Sequence, residues 1–176
     1  MAEPLPILVG LTGKRELRGQ EERLRASLDA IYLALETAFP FSPKVLVTGL
    51  ADGADMLATE LVLLRPGWLA YGLLPCPLKQ FRDTITDGEG SARLDCLLRH
   101  PKLRPHVLAP LNLGSSETRD AAIAPPITDS SLHYEQLGLW LAEHATILIA
   151  VRLTDEVADK ATPKYDRFKS EQLQGN

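Results

Sequence analysis

Two carboxylates and two glycines are packed into the stretch Thr48-Gly49-Leu50-Ala51-Asp52-Gly53-Ala54-Asp55, directly after the apolar run Val45-Leu46-Val47. Glycine lets a backbone turn tightly and approach a ligand with no Cβ in the way. The residues after it are good helix formers, and a helix N-terminus offers unpaired N–H groups and partial positive charge, which suits a phosphate. A second stretch of the same kind, Thr12-Gly13-Lys14-Arg15, adds two full positive charges, and a third, Pro75-Cys76-Pro77, closes another apolar run. Carboxylates repel phosphate in direct contact, so Asp52 and Asp55 suit a ribose or base, or a hold on Arg15. The plainer role for either aspartate is to cap the helix that follows. The pattern is neither a Walker loop nor GxGxxG.

Further along, His133-Tyr134-Glu135 combines acid/base types with a ring that can stack on a base or donate a hydrogen bond to a phosphate. Against this stands a plain role in which Glu135 complements a helix dipole and Tyr134 packs. Arg99, His100, Lys102, Arg104 and His106 form a local basic cluster without the interleaved aromatics of a single-strand groove, which favours a solvated surface. Ser115 and Ser116 lie near Glu117, but no nucleophile elbow surrounds them. Cys76 and Cys96 lack metal-ligand spacing, and the four histidines make no ligand pair on one helical face. No metal and no cofactor is expected.

These residues need elements to hold them. Pro6–Leu11 is continuously apolar, as a strand buried on both faces is. Leu24, Leu28, Ile31, Leu35 and Phe39 recur at helical spacing until Pro40 and Pro43. Strands are predicted at Lys44–Thr48, Trp68–Leu74 and 145–152. Helices are predicted at Asp55–Leu64, from Leu78 with a break over Asp87-Gly88-Glu89-Gly90, over 91–99, and at Leu132–His144 after the capping types Asp129, Ser130 and Ser131. Residues 104–110 read as an edge strand carrying Pro105 and Pro110. Asn112–Ser131 reads as a long functional loop that closes over a ligand. This alternation gives an α/β, Rossmann-like three-layer fold with a mostly parallel sheet flanked by helices. In such sheets ligands bind outside the carboxyl ends of the strands, where the three polar stretches fall.

The chain's 176 residues, 45% hydrophobic, suit one domain of ordinary size. Residues 1–154 are read as that domain and 155–176 as a charged tail or linker. A net charge of −4 argues against bulk binding to a nucleic-acid backbone. No apolar run approaches the roughly 20 residues of a membrane helix, and the N-terminus lacks a signal pattern, so a cytoplasmic location is expected.

Together, Thr12-Gly13-Lys14-Arg15, Leu50-Ala51-Asp52-Gly53-Ala54-Asp55, Leu74-Pro75-Cys76-Pro77 and Tyr134-Glu135-Gln136 before the apolar strand Thr146–Val151 resemble the SLOG superfamily. This Rossmann-like group includes the DNA-processing protein A fold and the Lonely Guy phosphoribohydrolases. The match is to the bacterial branch that opens with Thr-Gly-His-Arg and continues with Leu-Ala-x-Gly-Ala-Asp. The resemblance covers about residues 7–152. It implies a nucleotide site at Gly13, Arg15, Gly49, Gly53 and Asp55 with Tyr134 and Glu135 nearby; Thr12, Lys14, Leu50, Ala51, Asp52 and Pro75 complete the expected set. It further implies a sensor of a nucleotide or nucleotide-derived signal in bacterial defence or signalling. Under this binding reading the ligand biases assembly or a linked effector domain, and the exposed helices of the fold class suit a homodimer. Lys14 stands where that branch has histidine. The Pro-Gly-Gly-x-Gly-Thr-x-x-Glu motif of the phosphoribohydrolases is missing, and Trp-Asp-Gly does not follow Val151-Arg152. One alternative is an enzyme cleaving an N-glycosidic or phosphoribosyl bond with Glu135 or Asp55 as acid/base. Another is a single-stranded DNA binder using the basic cluster. Under the binding reading, Gly53→Val is expected to abolish ligand response while the domain stays folded.

Overall fold

A computed structural model describes residues 4–85, 87–108 and 130–152, with side chains in the last stretch from Tyr134 onward. Its elements run β1 (Ile7–Thr12), α1 (Glu21–Ala38), β2 (Lys44–Thr48), α2 (Ala54–Leu63), β3 (Trp68–Leu74), α3 (Leu78–Asp83), α4 (Gly88–Leu98), β4 (Leu103–Val107), α5 (Ser130–His144) and β5 (Ile147–Ala150). The strands form one sheet in the order β4-β3-β2-β1-β5, and every pairing is parallel. This is a three-layer, Rossmann-like α/β fold.

Strand alternation assigns the layers. Leu46 of β2 and Val9 and Leu11 of β1 face a core shared with Leu28, Tyr32, Met56, Ala58, Phe81 and Leu94 from α1 to α4. Val45 and Val47 of β2 and Leu73 of β3 point the other way, onto Leu137 and Leu141 of α5. The chain steps outward from β1 to β4 with its helices on one face, then returns across the sheet so that β5 lies beside β1. Right-handed crossovers demand that split, because reversing the direction of travel reverses the face.

α2 is buried at every position from Ala54 to Leu63 except Glu60. A helix apolar nearly all round is one wrapped by neighbours, and α1, α4 and the sheet enclose it. In α1 the buried stripe differs from the expected one. Leu28 and Tyr32 are buried, whereas Ile31 and Phe39 are each 37% exposed. Tyr32 takes the inner place because its ring packs against Trp68 at 5.0 Å between centroids, with the Arg65 guanidinium 5.5 Å from its centroid. α4 also starts earlier than the glycines suggest. Asp87 caps it by accepting the Gly90 N–H, so Gly88–Gly90 form its first turn rather than a break. Likewise β4 ends at Val107 and α5 begins at Ser130. No helix among the described residues is long and apolar enough to cross a membrane.

Candidate functional site

β1, β2 and β3 end side by side, and the first two of the polar stretches meet there in direct backbone contact. The Ala54 N–H donates to the Lys14 carbonyl at 3.0 Å. Gly53, the N-cap of α2, has φ 86° and ψ −121°, and a Cβ placed on it would stand 2.0 Å from the Arg15 carbonyl oxygen and 2.6 Å from that of Lys14. Only glycine adopts that backbone angle cheaply and only glycine leaves room for the neighbouring chain. Its role is therefore to join two loops of the protein. Both grounds weigh against the expectation that Gly53→Val leaves the domain folded, and make that variant a probe of the loop junction before it is one of ligand binding.

The glycine turn also spends its donors internally. Gly49 N–H donates to Asp55 Oδ2 at 3.1 Å, Leu50 N–H to Thr48 Oγ1 at 3.2 Å, and Gly53 N–H to Asp52 Oδ1 at 2.8 Å. The expected phosphate cradle of bare amides is thus taken up by the protein's own oxygens. Asp55 is buried in the first turn of α2 and acts as a brace across the turn. Burial pushes its carboxyl up to about 7, against the lowering pull of the Ala51 and Gly49 N–H groups and the more distant Arg15 charge.

Beside this junction lies a cleft of about 310 Å³, lined by Arg15, Glu16, Ala51, Asp52, Thr84, Ile85 and Asp87. The volume is at the lower end of the roughly 300–1,000 Å³ usual for small-molecule sites. It sits over the carboxyl ends of the strands, as the fold class requires. Asp52 and Asp87 share one wall. A Cβ on Gly90 would stand 3.1 Å from Asp87 Oδ2 and 3.2 Å from Asp52 Oδ2, so both carboxylates rest against the first turn of α4, where the helix dipole favours negative charge. Arg15 carries the positive charge among the described lining residues. Its Nη2 donates to the Tyr134 hydroxyl, and its Cζ lies 4.9 Å from the Tyr134 ring centroid. A contact of this kind contributes about 0.5–1 kcal/mol at an exposed site.

Of the expected residues, Arg15, Ala51 and Asp52 line the cleft, and Tyr134 reaches it through Arg15. Thr12 pairs with Ala150 and accepts the Val151 N–H, and Gly13 packs against Ala54 and Val151. Lys14 is exposed and contributes its carbonyl to the loop junction. Gly49 lies under Leu137 of α5. Leu50, at φ 52°, turns its side chain into the core against Gly72. Pro75 is buried, and Glu135 is exposed on α5 outside the cleft lining. Glu16, Thr84, Ile85 and Asp87 were not expected. For Asp87 the polar, glycine-rich Asp87–Gly90 stretch is the available sequence signal; Glu16 simply follows Arg15.

Three members of the basic cluster make local hydrogen bonds. Lys102 Nζ donates to the carbonyls of Leu63 at 3.1 Å and Arg65 at 2.9 Å, closing the C-terminus of α2. The Lys102 N–H donates to His100 Nδ1, and Arg104 bonds the Pro101 carbonyl. Cys76 is buried and Cys96 exposed. Among the described residues no group of three or more His, Cys, Asp or Glu is placed to hold a metal. The His133 side chain, the Asn112–Asp129 part of the long loop with Ser115, Ser116 and Glu117, and the 155–176 tail lie outside the described residues. A second hollow of about 410 Å³ lies on the α5 face of the sheet and is apolar, bounded by Leu8, Val45, Val47, Tyr71, Leu73 and Trp140 among others.

The fold and cleft define a Rossmann-like α/β protein with a polar crevice at its strand ends. No protein-family model matches the chain, and no curated protein matches it.

Proposed function

We propose that the chain is a binding domain that captures a nucleotide or nucleotide-derived signal in the cleft between Arg15 and the Asp52–Asp87 wall. The observation that carries this reading is the position of Arg15: at the carboxyl end of β1, lining a strand-end cleft of about 310 Å³, with its guanidinium held by Tyr134. The carboxylates opposite suit hydroxyl or amino donors, such as a ribose or an exocyclic amine, while Arg15 suits one anionic group. The resemblance to the SLOG superfamily supports a sensor role in bacterial signalling or defence, in which binding favours one conformation of the domain or of a linked effector.

Binding is favoured over hydrolysis by the placement of the two acid/base candidates. Asp55 is buried beneath the glycine turn, and Glu135 lies outside the cleft lining.

The test is thermal unfolding with a panel of mono-, di- and cyclic nucleotides. A ligand of the native state at about 100 times its Kd stabilises by about 2.7 kcal/mol, which is a shift of several degrees for a chain of this length. At least one member of the panel is expected to produce it, and Arg15→Ala is expected to reduce it. No shift with any nucleotide, or an unchanged shift in Arg15→Ala, overturns the reading.

A further inference from the structure

We propose that Tyr134 is a positioning residue that holds the Arg15 guanidinium away from the neighbouring carboxylates, making Arg15 the anchor for an anionic group in the cleft; this rests on the reading that the cleft is the ligand site. The argument begins with what surrounds Arg15. Three of the described lining residues, Glu16, Asp52 and Asp87, are carboxylates. An arginine left to itself among them forms a two-pronged ion pair, which occupies its fork of donors and cancels its charge. Among the described residues, what the guanidinium bonds instead is a neutral group: the Tyr134 hydroxyl accepts from Nη2, and the Tyr134 ring lies 4.9 Å from Cζ.

A hydroxyl and a π face fix the orientation of a cation without neutralising it. Among the described residues no carboxylate takes the remaining donors of the fork, which leaves them to a ligand. Tyr134 is itself fixed, because it is half-buried against the cluster of Val45, Val47, Leu73, Leu137 and Leu141. It is not part of the cleft lining, so it acts through Arg15. α5 thus bears on both loops of the site, with Tyr134 on Arg15 and Leu137 over Gly49.

Inorganic phosphate is the probe, followed by NMR on the Arg15 side-chain Nε–H in the full chain, which separates this inference from the nucleotide reading. A saturable phosphate-dependent shift is expected in the wild type. Tyr134→Phe keeps the ring and loses the acceptor, and is expected to weaken phosphate by about threefold; Tyr134→Leu loses both, and about tenfold is expected. Asp52→Asn removes a charge that repels phosphate and is expected to raise affinity in the wild type; in Tyr134→Leu it also removes an acid that competes for the loosened arginine, and a larger gain is expected there. A merely structural role for Tyr134 would give the same gain in both backgrounds. Where Tyr134→Leu fails to fold, Tyr134→Phe decides. The proposal is overturned by an absent phosphate response in the wild type, by wild-type affinity in the Tyr134 variants, or by an equal Asp52→Asn gain in wild type and Tyr134→Leu. A phosphate response without any nucleotide response would sink the nucleotide reading and leave the Arg15 anchor standing.

Discussion

The carbonyl oxygen of Arg15 stands 2.0 Å from where a Cβ on Gly53 would be. One residue ends the β1 loop and the other starts α2, so the two loops that flank the cleft are locked together through the absence of a single carbon. The contact is backbone against side-chain position, and no rotamer change can relieve it.

Gly53→Ala is therefore expected to cost about 3 kcal/mol or more, from a non-glycine residue at φ 86° plus separation of the loops. Gly67→Ala is the control. Gly67 has φ 74° with nothing within 4 Å of a Cβ, so only the backbone term, about 1 kcal/mol, applies there. Denaturant unfolding of both variants gives the comparison. Equal losses would show that the loop junction carries no load.

Asp55 makes stability depend on pH with a definite sign. Its carboxyl is raised from an ordinary 3.8 to about 7, chiefly by burial. The folded state then holds a proton that the unfolded chain has already lost across that interval. The group's contribution is full below about pH 4 and is lost as pH rises to about 7, on the order of 4 kcal/mol in all. Asp55→Asn keeps an acceptor for the Gly49 N–H and removes the titration. The stability of wild type minus that of Asp55→Asn is expected to fall as pH rises from 4 to 8 in urea titrations; a flat difference would count against a raised carboxyl at this position.

Lys102 belongs to the basic cluster that could suggest nucleic-acid binding, yet its ammonium closes the end of α2. Lys102→Met is expected to destabilise the domain by about 1 kcal/mol and to leave oligonucleotide binding unchanged at any salt concentration. A salt-dependent loss of single-strand affinity in this variant would revive the DNA-binding reading.

The strands and helices were legible because each depends on a local pattern. Continuous apolar runs gave β1, β2, β3 and β5, and the Val45–Asp55 stretch gave the strand-turn-helix that holds the site. The parallel sheet followed from the alternation of elements. Boundaries were less legible where side chains and caps decide them: Asp87 turns an apparent break into the first turn of α4, and Trp68 draws Tyr32 inward in place of Ile31.

The roles of the site residues were only half legible. By itself the sequence determined that glycines, carboxylates and Arg15 would gather at the strand ends, because residue type and the order of elements are local or topological properties. Tertiary structure alone decided what each one faces. The glycine-turn amides that composition offered to a phosphate meet Asp55, Asp52, Thr48 and Lys14 instead, Gly53 meets the chain of Arg15, and Arg15 meets Tyr134, which lies 119 residues away. Hydrogen-bond partners across such distances are set by which strands lie side by side, and no window along the chain contains that information.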